Sequence, residues 1–153
     1  MDAMSQLKKA YDEKGYVICD SLLPMTVVEE LQEVTDKIVN AGAALTASDE
    51  VYEILDDLET KQSRIERIKS PHTVNPCFDA LIRRQEITDV LRALLGPDIR
   101  LQNSKLNVKG KEGSAPVEWH QDWAFYPHTN DDVLAVGIMI DDMTEDNGSV
   151  LFA

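Results

Sequence analysis

The spacing of apolar residues changes partway along this 153-residue chain, from a helical period to an alternating one. Leu7, Ala10 and Tyr11 fall on one side of a short helix over Ser5 to Gly15, and Gly15 offers the left-handed residue that closes it. Tyr16-Val17-Ile18-Cys19, β-branched and aromatic, predicts a strand directly afterwards. Thr26 stands three residues before Glu29 in a capping-box arrangement, and Val27, Leu31, Val34 and Ile38 then mark a helical face that runs to Gly42. A loop over 43–50 leads to a further helix start at Ser48, with Val51, Ile54, Leu55 and Leu58 as its apolar face. Asp49, Glu50, Glu53, Asp56, Asp57 and Glu59 occupy the opposite face, which lacks the glycine turn of a calcium loop and reads as solvated.

Residues 64–69 predict a strand interrupted at Pro71, and 75–84 and 86–95 predict helices. The latter carries Ile87, Val90, Leu91, Leu94 and Leu95 as a stripe and stops at Gly96-Pro97. Beyond it the helical period disappears. Residues 98–109, 115–122, 133–142 and 148–153 predict successive strands, separated by turns bearing Gly, Asn or Asp. Val133 to Ile140 is nearly continuous apolar sequence, the pattern of a strand buried on both faces. Helices first and strands later predict an α+β fold whose strands form an antiparallel sandwich or barrel.

Composition narrows the function classes. With 43% hydrophobic and 28% charged residues, the chain has the profile of one soluble globular domain. Fifteen Lys and Arg against 28 Asp and Glu leave a formal charge of −13, which repels phosphate backbones and anionic lipid, so neither nucleic acid nor membrane is an expected partner. No stretch approaches the ~20 apolar residues that span a bilayer, and the first residues hold no signal-type apolar run, so a cytoplasmic location is expected. Cys19 and Cys77 have no metal-ligand spacing and read as reduced, buried thiols.

The chemistry concentrates in Val117-Glu118-Trp119-His120-Gln121-Asp122-Trp123. On a strand, His120 and Asp122 share a face because side chains alternate. An imidazole and a carboxylate so placed supply two ligands of a 2-His-1-carboxylate Fe(II) site. In a chain this rich in aspartate H-x-D is a weak signal by itself, and its neighbourhood strengthens it. Asn103, Lys105, Asn107 and Lys109 share one face of the preceding strand, as polar residues lining a barrel that holds an anion would. His72 and His128 each follow a proline and read as loop histidines; Trp119 and Trp123 read as packing residues.

Trp119-His120-Gln121-Asp122-Trp123, the apolar strand, and Asp141-Asp142-Met143-Thr144-Glu145-Asp146-Asn147-Gly148-Ser149-Val150-Leu151-Phe152 together resemble the phytanoyl-CoA dioxygenase family of Fe(II)- and 2-oxoglutarate-dependent oxygenases. The helix leading into Gly15-Tyr16-Val17-Ile18 and the long helix after it fit the same family. The resemblance implies a double-stranded β-helix, the jelly-roll or cupin-like oxygenase fold, carrying N-terminal helices. It implies His120 and Asp122 as iron ligands, Asn107, Lys109 and Val117 as contacts to 2-oxoglutarate, and Asn103, Trp123 and Phe125 with Tyr126 as substrate contacts. Fe(II), 2-oxoglutarate and O₂ would serve the hydroxylation of a small organic substrate, with ascorbate as an accessory. Asp122 at the carboxylate position favours hydroxylation over halogenation.

Members of the family continue into a second histidine ligand and an arginine that anchors 2-oxoglutarate. Neither His72 nor His128 occupies that histidine's place, and no arginine follows Arg100. The expectation is therefore one oxygenase domain over 1–153 that is C-terminally incomplete, mainly helical over 1–97 with the first barrel strands over 98–153. Two alternatives stay open: a non-catalytic truncated or split half-barrel, whose unpaired strand edges invite self-association, and a cupin-like metal or small-molecule binding module.

Overall fold

Capping side chains set the first boundaries. Helix α1, Ala3–Lys14, starts behind Asp2, whose carboxylate accepts the Ser5 N–H at 2.8 Å. It ends at Gly15, where φ is 78° and the N–H donates to the Tyr11 carbonyl at 2.8 Å. A side chain at that φ would cost about 1–2 kcal/mol, which is why glycine closes the helix. The computed structural model describes residues 2–56, 63–110, 117–126, 129–130 and 132–152. They combine helices with one small antiparallel sheet and gather into two compact units, Met25–Arg84 with Arg100–Val117, and Met1–Pro24 with Gln85–Ile99 and Glu118–Ala153.

In the unit built on residues 25–84, helix α2, Met25–Gly42, packs against α4, Pro76–Ile82. α2 begins at Met25, so Thr26 lies inside its first turn and the expected capping box does not start it. Strands β1 (Tyr52–Asp56), β2 (Ser63–Lys69) and β3 (Lys105–Asn107) pair antiparallel in that order. Leu31, Ile38, Ile65, Ile68, Phe78 and Leu81 are buried and form its core. Between β2 and α4 lies α3, the single turn Pro71–Val74, where the sequence suggested a loop.

The helix expected from Ser48 is instead a turn followed by β1. Asp49 Oδ1 accepts the N–H groups of Val51 and Tyr52 at 2.8 and 2.6 Å, and Ser48 Oγ accepts that of Ile54 at 2.9 Å. Backbone donors that a helix would need are thus held by side chains, and β2 pairs with the residues after them. Asp57, Leu58 and Glu59, assigned to that helix, lie outside the described residues. Glu53 pairs with Arg67 and Ile54 with Ile65, so Glu66 is an extra residue in β2. This bulge turns both Ile65 and Ile68 into the core although they are three residues apart.

Close approach explains the glycine that ends α2. A Cβ on Gly42 would lie 2.5 Å from Tyr52 Cε1 and 2.9 Å from Ile65 Cδ1. The Tyr52 ring is pinned there by its hydroxyl, which donates to the Ile38 carbonyl at 2.9 Å.

In the other unit α1 packs with α5, Gln85–Leu95, whose Ile87 and Val90 are buried. Tyr16 stacks on Phe152 with ring centroids 4.5 Å apart and 10° between planes. Several strand expectations fail. Among the described residues, 16–19, 98–104, 117–122, 133–142 and 148–152 carry no strand. A strand persists where a neighbour accepts and donates its ladder bonds, and among the described residues of the C-terminal stretch only β3 has one, in β2. Val136 and Met139 are accordingly about half exposed (50% and 49%), not buried on both faces. The two cysteines are half-buried, not fully enclosed as expected. Burial still pushes both thiols above their usual range, with Asp20 adding to the effect at Cys19 and Glu30 at Cys77. No helix among the described residues is long and apolar enough to cross a membrane.

Candidate active site

His120 and Asp122 meet, though not by strand alternation. Gln121 has extended backbone (φ −113°, ψ 129°), and Asp122 then opens a short 3₁₀ turn, Asp122–Phe125. This brings His120 Nε2 to 3.6 Å from Asp122 Oδ1, with each side chain about one-third exposed. His120 Nδ1 lies 2.7 Å from the Glu118 carbonyl oxygen. A carbonyl only accepts, so Nδ1 carries the proton and donates, and in the neutral ring Nε2 keeps its lone pair on the side of Asp122. At 3.6 Å the two atoms stand beyond the roughly 2.7–3.2 Å of a direct N–H···O bond. Two lone-pair donors 3.6 Å apart, one with its tautomer fixed by a backbone carbonyl, are of the chemical type that can ligate a divalent ion. Phe125 and the imidazole form a T-shaped pair, ring centroids 5.6 Å apart at 81°.

The same turn carries Trp123, whose indole N–H donates to the Asn130 carbonyl at 3.0 Å. Trp119 and Trp123 are 68% and 48% exposed, which corrects the expectation that both are packing residues: the segment around them has no strand partner to bring a second layer against the rings. Phe125 and Val117 are also exposed. Among the described residues no group of three or more His, Cys, Asp and Glu is placed to hold a metal, so His120 and Asp122 stand as a two-donor pair.

Asn103, Asn107, Lys109 and Val117 belong to the other unit. Asn107 closes β3, and its side-chain oxygen accepts from Arg67 Nε at 3.2 Å. Arg67 in turn donates through its terminal guanidinium nitrogen to Glu53 Oε2 at 2.9 Å. The three residues face one another across β1, β2 and β3. The sequence reading missed Arg67 and Glu53, because only strand register, across 40 residues of sequence in the case of Asn107, brings them together. Asn103 and Lys109 flank β3 and are exposed. His72 sits on α3, half-buried, with Nδ1 2.6 Å from Ser104 Oγ, a structural bond in place of the expected loop position. His128 lies outside the described residues.

Comparison with known proteins completes the picture. The sequence profile of the family described as phytanoyl-CoA dioxygenase (PhyH) matches residues 11–153. A probable alpha-ketoglutarate-dependent hypophosphite dioxygenase of Stutzerimonas stutzeri is 38% identical over 146 residues, covering 95% of this chain and 51% of the relative. An ectoine dioxygenase of Sphingopyxis alaskensis is 25% identical over 147 residues, 93% of this chain and 46% of the relative. An L-proline trans-4-hydroxylase of Streptomyces griseoviridis is 28% identical over 95 residues, 60% of this chain and 35% of the relative. The chain thus spans about half the length of the first two. No solved structure matches it.

Proposed function

Since this chain belongs to the phytanoyl-CoA dioxygenase family, we propose that it carries part of the active site of an Fe(II)- and 2-oxoglutarate-dependent dioxygenase acting on a small molecule. The observation that supports this most is the His120–Asp122 pair, with Nε2 and Oδ1 3.6 Å apart and Nδ1 committed to the Glu118 carbonyl. Nitrogen and oxygen donors of this kind suit Fe(II). When bound, the ion supplies the activation of O₂ that, coupled to decarboxylation of 2-oxoglutarate, oxidises the substrate.

The residues of the chain have narrower tasks. Glu118 holds the imidazole in the tautomer that leaves Nε2 open, Asp122 brings the negative charge, and Phe125 packs T-shaped against the ring. In this reading Asn107 offers amide donors to an anionic cosubstrate, Lys109 and Val117 contribute further cosubstrate contacts, and Asn103, Trp123 and Phe125 serve substrate contacts. Beyond the short β3 the described residues from 98 onward hold no strand, so the double-stranded β-helix is proposed on the family resemblance, with 1–153 forming part of a single oxygenase domain. The relatives act, by their names, on hypophosphite, ectoine and L-proline, so family membership alone leaves the substrate open.

Anaerobic titration with Fe(II) and 2-oxoglutarate tests the proposal. A metal-to-ligand charge-transfer band that His120→Ala and Asp122→Ala each remove supports it. No band with the unaltered chain, or a band that either variant retains at full intensity, overturns the site assignment.

A further inference from the structure

We propose that His72 is a positioning residue: through the Ser104 hydroxyl it supplies the tie that fixes the start of β3 on β2, and so keeps Asn107 opposite Arg67. What Asn107 then does in catalysis rests on the dioxygenase reading; the tie itself does not.

The ladder alone anchors β3 poorly. The strand has three residues, and β2 pairs with them as Arg67 with Asn107, Ile68 with Leu106 and Lys69 with Lys105. The same register continues to Ser70 opposite Ser104, where the Ser70 N–H donates to the Ser104 carbonyl at 3.0 Å. A hydrogen-bonded antiparallel pair exchanges two such bonds. Here the Ser70 carbonyl is committed elsewhere, since the N–H and the hydroxyl of Thr73 donate to it at 2.8 and 2.9 Å and fill both of its lone pairs. The start of β3 is therefore held by half of a ladder pair.

A strained turn brings the second tie. Ser70 has φ 48° and ψ 52°, the left-handed region that residues with a side chain rarely adopt. The chain then enters α3 at Pro71 and folds back, so that His72 Nδ1 lies 2.6 Å from Ser104 Oγ. An imidazole-to-hydroxyl bond thus joins the two segments where the second backbone bond of the pair would have been. Strain of this kind persists only where the surrounding bonds hold it, and the bonds to Thr73 and Ser104 are the ones that do.

The effect reaches Asn107 because β3 is so short. Asn107 Oδ1 accepts from Arg67 Nε at 3.2 Å, a contact that exists only in this register. A slip of one residue would turn Asn107 to the opposite face of the sheet. His72 also acts through charge: on α4, Arg83 chiefly, and His72 to a smaller extent, hold the Asp79 carboxyl below its usual range.

Hydrogen exchange of the metal-free chain, followed by ¹⁵N NMR, tests the tie. His72→Ala should speed exchange of the Ser70 N–H about three- to tenfold, the contribution of roughly one hydrogen bond, and should shift the Arg67 Nε–H signal. The Ile54 N–H, held by Ser48 Oγ elsewhere in the same unit, should exchange as before. His72→Asn places an amide where Nδ1 stands, without the ring or its charge, and should restore both signals. Ser104→Ala, one atom smaller, should reproduce the effect of His72→Ala, and the double variant should add nothing to it. Unchanged Ser70 exchange and Arg67 signal in His72→Ala, equal acceleration at Ile54, or no rescue by asparagine overturns the proposal. These readouts use neither metal nor cosubstrate, so a failed Fe(II) titration would sink the dioxygenase reading and leave the tie standing.

Discussion

His120 Nε2 stands 3.6 Å from Asp122 Oδ1, on the ring nitrogen that the Glu118 carbonyl leaves free. The pair is held by three consecutive backbone features: the carbonyl two residues before the imidazole, extended backbone at Gln121, and the 3₁₀ turn at Asp122. Asp122→Asn retains the shape and removes the charge. It should lower divalent-ion affinity on the order of tenfold or more while leaving the thermal midpoint within about 2 °C, since exposed substitutions rarely exceed ~0.5 kcal/mol. Mn(II) titration by electron paramagnetic resonance, alongside thermal melting, measures both.

Gly42→Ala should destabilise the chain by about 1–3 kcal/mol, the cost of forcing a methyl into a packed contact. Tyr52 cannot swing away without losing its bond to the Ile38 carbonyl. Urea unfolding of Gly42→Ala, of Tyr52→Ala and of the double variant checks the mechanism, because removing the ring should make the added methyl nearly harmless.

Asp49 predicts an acid-sensitive turn. The N–H groups of Tyr52 first, then Val51, hold its carboxyl below the usual carboxylate range, with Lys69 adding a smaller effect. A depressed folded-state value means that the contribution is complete above the unfolded value, about 3.9, and is lost as pH falls through the folded one. Asp49→Asn keeps the acceptor oxygen and should flatten this part of the acid limb, which pH-dependent melts of the two proteins would show.

Leu31, fully buried where α2 faces α4, should cost about 2–5 kcal/mol when cut to alanine. Met25→Ala, on the same helix but exposed, should stay near ~0.5 kcal/mol. Chemical denaturation of the two variants separates a buried stripe from a generally apolar helix.

How much of this was legible depended on whether the signal is local. Gly15 and the Gly96-Pro97 stop mark helix ends through backbone chemistry that neighbouring residues share, and both helices end there. The segment after Ser48 shows the opposite. Val51, Ile54 and Leu55 have helical spacing, yet Asp49 captures the backbone donors of Val51 and Tyr52, Ser48 captures that of Ile54, and β2 offers a ladder that a one-dimensional pattern does not contain. At the candidate site, the H-x-D spacing is weak by itself, and its neighbourhood and the family resemblance brought out His120 and Asp122. Alternation gave the wrong reason for their meeting, since a turn and not a strand joins them. Arg67 escaped notice because its tie to Asn107 exists only through register, and the bulge at Glu66 shifts the parity a reader would count.

The central claim is that His120 and Asp122 form a divalent-ion site with Nε2 as the nitrogen donor, and ¹⁵N NMR of the His120 ring tests it most directly. Before metal is added, the neutral form of the ring should carry its proton at Nδ1. On adding substoichiometric Mn(II), resonances of 118–125 should broaden first, and Asp122→Ala should remove that selectivity. A neutral ring protonated at Nε2, or broadening that begins at another acidic cluster such as Glu145 and Asp146 and is indifferent to Asp122, would contradict the account.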